Sequence, residues 1–147
     1  MQPTPFNPKS DLPPLPFEDR HCQLAASLKQ ANLSWTPHVG CFVWDRDRHL
    51  HVPSPFPNNI YFILNLGHFL KRLGTLDDLR EKLIWMPTWH QARLLCRQFG
   101  IPDQAVMKSL GSDEAVAAGQ DLLTLYALLL NRLKTDTTPR NRSAHSI

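Results

Sequence analysis

The side chains best suited to chemistry in this sequence are its histidines. His49 and His51 stand two apart. Alternate residues of a strand point the same way, so this pair can share a metal ion through its imidazoles. A third ligand has to come from elsewhere, from His68, His90 or a carboxylate. His38 and Cys41 would fall on opposite strand faces, and His38 lies too far along the strand to join His49 and His51. No His-Glu-x-x-His pattern and no cysteine pair at zinc spacing accompanies them. His49 and His51 are therefore metal candidates only, and the sequence calls for no metal or other cofactor.

The densest polar and aromatic cluster is Trp85-Met86-Pro87-Thr88-Trp89-His90-Gln91. It falls between two expected helices, where a capped helix start offers free N–H groups. Trp85, Thr88, Trp89 and His90 can line a ligand pocket, which Trp44, His49 and His51 would complete. The simpler use of two large indoles is to wedge the joint between helices.

Catalytic motifs are missing. Cys96 and His90 lie six apart on one expected helix, about 9 Å in rise and on different lines, so they do not touch. Cys22 follows His21, and adjacent helical residues diverge. Six scattered Gly build no phosphate-cradling loop, and no Gly-x-Ser-x-Gly elbow occurs. The sequence thus leans away from an enzyme.

Nucleic acid is a third class of partner. Lys71, Arg72, Arg80, Lys82, Arg93 and Arg97 fall on three consecutive expected helices, but Asp77, Asp78 and Glu81 dilute them. A net charge of +3 is mild for a nucleic-acid protein.

These groups need a scaffold. The chain has 147 residues, of which 42% are hydrophobic, enough for one core. No apolar run reaches the ~18 residues of a membrane span, since Asn65, Gly67 and His68 break the best candidate, 60–70. No basic-then-apolar leader opens the sequence. The three Cys are far apart, which points to buried thiols and a reducing, cytoplasmic setting. Six of the 13 Pro lie within residues 1–16, which therefore read as an extended arm packed through Phe6, Leu12, Leu15 and Phe17. Residues 17–134 form the globular part, and 135–147 a polar tail.

Periodicity predicts a mainly helical α+β domain with one early hairpin and five to six helices. A helix spans 18–31 and stops at Asn32. Residues 39–44 read as a strand, with 49–52 as its return across the polar turn 45–48. That register sets Trp44 opposite His49 and Phe42 opposite His51. It places Val39, Cys41, Val43, Leu50 and Val52 on a core face. A nearly all-apolar helix spans 60–73, capped by Asn58 or Asn59. Thr75 with Asp78 opens a third helix that Pro87 breaks, and Thr88 caps a fourth over 89–99. A fifth follows Pro102. Gly111-Ser112 separates it from the longest, 113–134.

Leu125 and Leu128 lie outside the main apolar stripe of that last helix, and Ala115, Ala118 and Gly119 permit close helix approach. Surplus apolar surface of this kind marks an interface. The leading expectation is therefore a small self-associating protein-interaction domain, with Leu125, Leu128 and Ala118 in the contact. The alternative is a small-molecule binder or enzyme using the Trp/His pocket, and a nucleic-acid binder comes third.

Overall fold

The computed structural model of the protein describes residues 6–16, 18–54, 56–110 and 119–136, with only the backbone of Asp136. Several expectations fall outside these residues: Phe17, the Gly111-Ser112 break, the helix start at Asp113, Ala115, Ala118 and the polar tail from 137 on. The class is the expected one, a mainly helical α+β fold. The described residues hold six α-helices and a three-stranded antiparallel sheet. The chain divides into two compact units, Met1–Cys22 with Trp35–Met86, and Gln23–Ser34 with Pro87–Ile147.

The first unit contains the sheet. Strand β1 (Phe42–Trp44) is central, flanked by β2 (Ile60–Phe62) and β3 (Ile84–Trp85). This corrects the expected hairpin. Phe42 pairs with Phe62, Val43 with Tyr61 and Trp44 with Ile60, while residues 49–52 belong to no strand. The cause is Asp45, which is 1% exposed. Its carboxylate accepts the backbone N–H of His49 at 2.9 Å and of Leu50 at 2.8 Å. Those donors are therefore satisfied by a side chain rather than by β1. A carboxylate that accepts backbone N–H groups makes strong charge-assisted bonds. The edge of β1 is then open to residues 60–62.

The same rerouting corrects the expected helix over 60–73. Asn58 and Asn59 do not open a helix over 60–73; both adopt left-handed backbone, with φ of 61° and 58°, and turn the chain into β2. Asparagine tolerates that conformation better than most residues. The run Ile60-Tyr61-Phe62 is branched and aromatic, and a short apolar run suits a buried strand as well as a helix. Asn65 then caps α2 (Leu66–Leu73) by accepting the His68 N–H at 3.3 Å. The third helix also ends early. After α3 (Leu76–Lys82) the chain turns extended into β3, and Met86 N–H donates to Phe42 O at 2.8 Å. Extended backbone is what the residue before a proline prefers, and Pro87 follows.

The expected cap of α3 is present. Thr75 and Asp78 form a reciprocal box, and the two backbone and side-chain bonds from Thr75 hold the Asp78 carboxyl below its ordinary range. Gly74 joins α2 to α3 with φ of 115°, and a Cβ there would sit 2.2 Å from Asp78 Oδ2. Only glycine fits this joint.

One face of the sheet buries Cys41, Val43, Tyr61 and Ile63 against Leu73, Leu79 and Leu83 of the helical layer, together with Leu50. Leu50 and Val52 therefore reach the core face anticipated for them, but from coil. Val39 does not, being 56% exposed. On the other face Phe42 packs on Phe62 and Phe56, and Phe56 meets Phe6 of the arm. Leu15 is also buried, whereas Leu12 is exposed.

The second unit is helical. It takes most of α1 (Asp19–Gln30), then α4 (Trp89–Gln98), α5 (Asp103–Leu110) and α6 (Gln120–Asp136). Thr88 and Gln91 cap α4 reciprocally. Asn32 ends α1 as expected, with φ of 68° and Leu33 N–H returning to Leu28 O. Helices α4, α5 and α6 pack on one another. Tyr126 is fully buried and donates its hydroxyl to Pro87 O.

Cys22, Cys41 and Cys96 are all free and buried. Burial, with a smaller push from the Asp19 charge, raises the Cys22 thiol to about 12. Burial raises Cys41 and Cys96 as well, against smaller opposing effects of a backbone bond to Cys41 and of Arg93 and Arg132 near Cys96.

Two outcomes are expected. Asp45→Ala leaves two buried N–H donors unsatisfied and should cost about 2–4 kcal/mol in urea unfolding, with Asp45→Asn losing about half as much. An unchanged midpoint for Asp45→Ala would remove its role as organiser. The thiols set the second outcome. Their folded pKa values lie above the ~8.5 of an unfolded cysteine, so their contribution is intact below that pH and is lost as pH rises toward the folded values. The urea midpoint should hold steady near neutrality and fall above pH ~9. The three thiols should resist Ellman's reagent at pH ~8 in the native protein and react fully in guanidinium.

Candidate functional site

The seven residues expected to form a Trp/His pocket are divided between the two units. Trp44, His49, His51 and Trp85 belong to the first unit, whereas Thr88, Trp89 and His90 belong to the second. Within the sheet, Trp85 pairs with Val43 and Trp44 with Ile84. Neighbouring positions face opposite ways, so the two indoles point to opposite sides. Trp44 is buried, and the Arg46 guanidinium lies 5.9 Å from its ring centre. Trp85 stacks on Trp35 with 5.7 Å between centroids and 9° between planes. Its buried indole N–H has no hydrogen-bond partner among the described residues.

The remaining candidates have local roles or none. The Thr88 hydroxyl accepts the Gln91 N–H and serves as the cap of α4. Trp89 carries the Arg93 guanidinium 5.0 Å from its ring centre, and Arg93 also pairs with Asp103 at 3.1 Å. His90 and His51 are exposed. His49 is half-buried, and its backbone N–H is taken by Asp45. With residues 49–52 out of the sheet, the strand geometry that let His49 and His51 share an ion is gone. No three His, Cys, Asp or Glu side chains gather at a metal position among the described residues.

The interface candidates on α6 also change character. Leu125 is fully buried, so it belongs to the interior and offers no outer surface; this corrects its assignment to an interface. Leu128 is half-buried.

A different group of residues borders a cleft in the first unit. It has a volume of about 540 Å³ and is lined by Leu50, Val52, Tyr61, His68, Phe69, Lys71 and Arg72. Three segments build it. The Asp45-closed loop delivers Leu50 and Val52, β2 delivers Tyr61, and α2 delivers the other four. Helix α2 turns Leu66, Phe69, Leu70 and Leu73 toward the core and leaves His68, Lys71 and Arg72 exposed. Residues three and four apart share a helix face, so His68 stands beside both cations.

The floor is apolar. Its one hydroxyl, on Tyr61, donates to Val52 O at 2.5 Å. Burial, with the Asp45 charge adding and Arg48 opposing, raises the Tyr61 phenol above its usual range. The phenol is therefore neutral and its proton committed. The rim carries cations. His68, Lys71 and Arg72 form no ion pair with any described residue. Other basic residues are engaged locally. Arg80 pairs with Asp77 and donates to Trp35 O, and Lys82 donates to Leu73 O at 3.0 Å. With Arg93 held by Asp103, three of the six cations weighed for nucleic acid are occupied.

Neither a thiol nor a carboxylate lines this cleft among the described residues. What it presents is a hydrocarbon floor under an imidazole, an ammonium and a guanidinium. Sequence reasoning had these residues but in separate roles: Leu50 and Val52 as core, His68 as a spare ligand, Lys71 and Arg72 as part of a basic stripe. The signal that joins them is the rerouting at Asp45, and no residue spacing reveals it. No helix among the described residues is long and apolar enough to cross a membrane. No protein-family model, no curated protein and no solved structure matches this chain.

Proposed function

We propose that this is a small-molecule-binding protein whose ligand occupies the cleft between the 50–52 segment, β2 and α2. The observation that carries the reading is the cleft's make-up. Its volume of about 540 Å³ lies within the ~300–1,000 Å³ of ligand pockets, which combine apolar walls with a few placed polar groups. Its described lining residues all belong to one compact unit.

Self-association is the second reading, and a specific patch supports it. Val39 is 56% exposed, Phe62 37% and Leu64 73%, all at or next to the outer edge strand β2. Val39 and Leu64 follow directly on the Gly40–Ile63 hydrogen bond. Exposed apolar residues on an open sheet edge favour pairing with a second copy. That edge is partly closed, because the Ser54 hydroxyl donates to Ile60 O.

Each reading has its own test. A chemically mixed fragment set added to labelled protein should shift amides of residues 50–52, Tyr61 and α2. Val52→Trp, which fills the cleft, should abolish those shifts while leaving the circular dichroism spectrum unchanged. Shifts confined to other parts of the chain, or surviving the Trp, would refute the cleft. For self-association, sedimentation velocity should show a concentration-dependent dimer that Phe62→Asp with Leu64→Asp removes. A monomer at every concentration counts against it.

A further inference from the structure

We propose that the ligand of this cleft is a small amphipathic anion, with an aryl or acyl body and a single carboxylate or phosphate head. The body lies on Leu50, Val52 and Phe69, and the head meets His68, Lys71 and Arg72. This rests on the binding reading above and adds the chemical class.

Charge is the first argument. In folded proteins surface cations commonly sit near carboxylates, and four arginines of this chain do so. Arg20 lies 2.6 Å from Glu18, Arg46 3.7 Å from Asp47 and Arg93 3.1 Å from Asp103, and Arg80 pairs with Asp77. Lys71 and Arg72 pair with no described carboxylate. Two cations in the last turn of α2 do suit the negative end of the helix. That accounts for their presence in the turn, yet both also border the cleft, and His68 joins them there one turn earlier. Three nitrogen-bearing heads on one rim, with no carboxylate among the described lining residues, leave a positive potential over an apolar hollow. An anion lowers that potential, and a cation meets repulsion.

The floor supplies the second argument. A polar or zwitterionic body needs partners below the rim, and the described lining side chains offer none that is uncommitted. The Tyr61 proton is already given to Val52 O. The Asp45 carboxylate behind it is buried and holds two backbone N–H groups. The Phe69 ring and the side chains of Leu50 and Val52 make up the remaining floor. A ligand that satisfies both levels has its charge at one end and hydrocarbon at the other. Arg72 can take a carboxylate or phosphate with two parallel N–H bonds, while Lys71 acts as a point charge.

The experiment holds the body constant and varies the head. Octanoate, octyl phosphate, octanol and octylamine are titrated into the full chain, with amide shifts and calorimetry as readouts. Octanoate, octyl phosphate or both should bind roughly tenfold or more tightly than octanol, and octylamine should be weakest. Lys71→Gln with Arg72→Gln should erase the anion's advantage while leaving octanol unaffected. The advantage should also shrink as salt is raised. Octanol binding at residues 50–52, Tyr61 and α2 as tightly as both anions would overturn the anionic class and leave the cleft reading standing. An anion affinity unaltered in the double variant would do the same. If none of the four compounds shifts those amides, both the class and the cleft reading fail.

Discussion

The Asp45 carboxylate is the interaction on which the sheet and the cleft both depend. It sits at the end of the central strand, almost fully buried, and accepts the N–H groups of His49 and Leu50. Its own backbone N–H donates to Asn59 O at 3.0 Å, so the same residue also registers β1 against the approach to β2. One side chain thus ends a strand, shapes a turn and fixes where the next segment can pair. Arg48 pays toward this geometry with a left-handed backbone, φ of 56°, unusual for a residue with a long side chain. Buried carboxylates cost free energy unless their oxygens are filled. Here each oxygen holds a backbone donor, which makes the loop a single structural solution rather than one of several.

From that loop the first unit can be followed outward. Leu50 enters the core beside Val43 and Tyr61, and Val52 packs at its margin. Tyr61 ties its hydroxyl to Val52 O, which pins the 50–52 segment against β2. Helix α2 covers the remaining apolar side, held in place by the Asn65 cap at one end and by Lys82 on Leu73 O at the other. The α2–α3 joint allows no other path, because Gly74 is wedged against Asp78. The cleft is what is left where these three segments do not quite meet. Its walls are therefore parts of the fold's own fastening, and its shape is set before any ligand arrives. A preformed hollow loses less conformational freedom on binding than one that must assemble.

The sequence made local features legible and nonlocal pairing illegible. The boxes at Thr75 and Thr88, the stop at Asn32, the strand over 42–44 and the buried thiols could all be read, because each depends on residues within a few positions. The pairing of β1 could not. An apolar run such as 60–64 satisfies a helix or a buried strand equally, and the decision lay with a carboxylate fifteen or more residues earlier. The alternation His49-Leu50-His51-Val52 looked like a strand because its side chains do divide between core and solvent. A coil pinned at Asp45 divides them the same way. The candidate site suffered most from this, since every pocket residue expected from the hairpin was placed by a pairing that does not form. Leu125 was misread for a related reason. A helix that packs on more than one partner needs a wide apolar face, and width alone does not distinguish interior from interface.

Charge and hydrocarbon meet at the cleft. The protein carries a net charge of +3, and six of the described cations, Arg20, Arg46, Arg80, Lys82, Arg93 and Arg132, are engaged by a neighbouring carboxylate or carbonyl. Such pairs contribute little to stability at exposed positions, but they flatten the local field. Lys71 and Arg72 lie outside those pairs, and both border an apolar hollow. The low-polarity hollow beside them strengthens any charge-assisted contact made at its rim, because less water competes there. Chemistry beyond binding would need a group able to give or take a proton, or to attack, within reach of the floor. Tyr61 has its proton committed and its phenol held neutral. The thiols are buried with raised pKa values, the opposite of an activated nucleophile. His68 is the one described lining group suited to proton transfer, and it stands on the rim, where a ligand's head rather than its body would meet it. Under the proposed reading, holding an anion in place asks no further parts of this set of side chains.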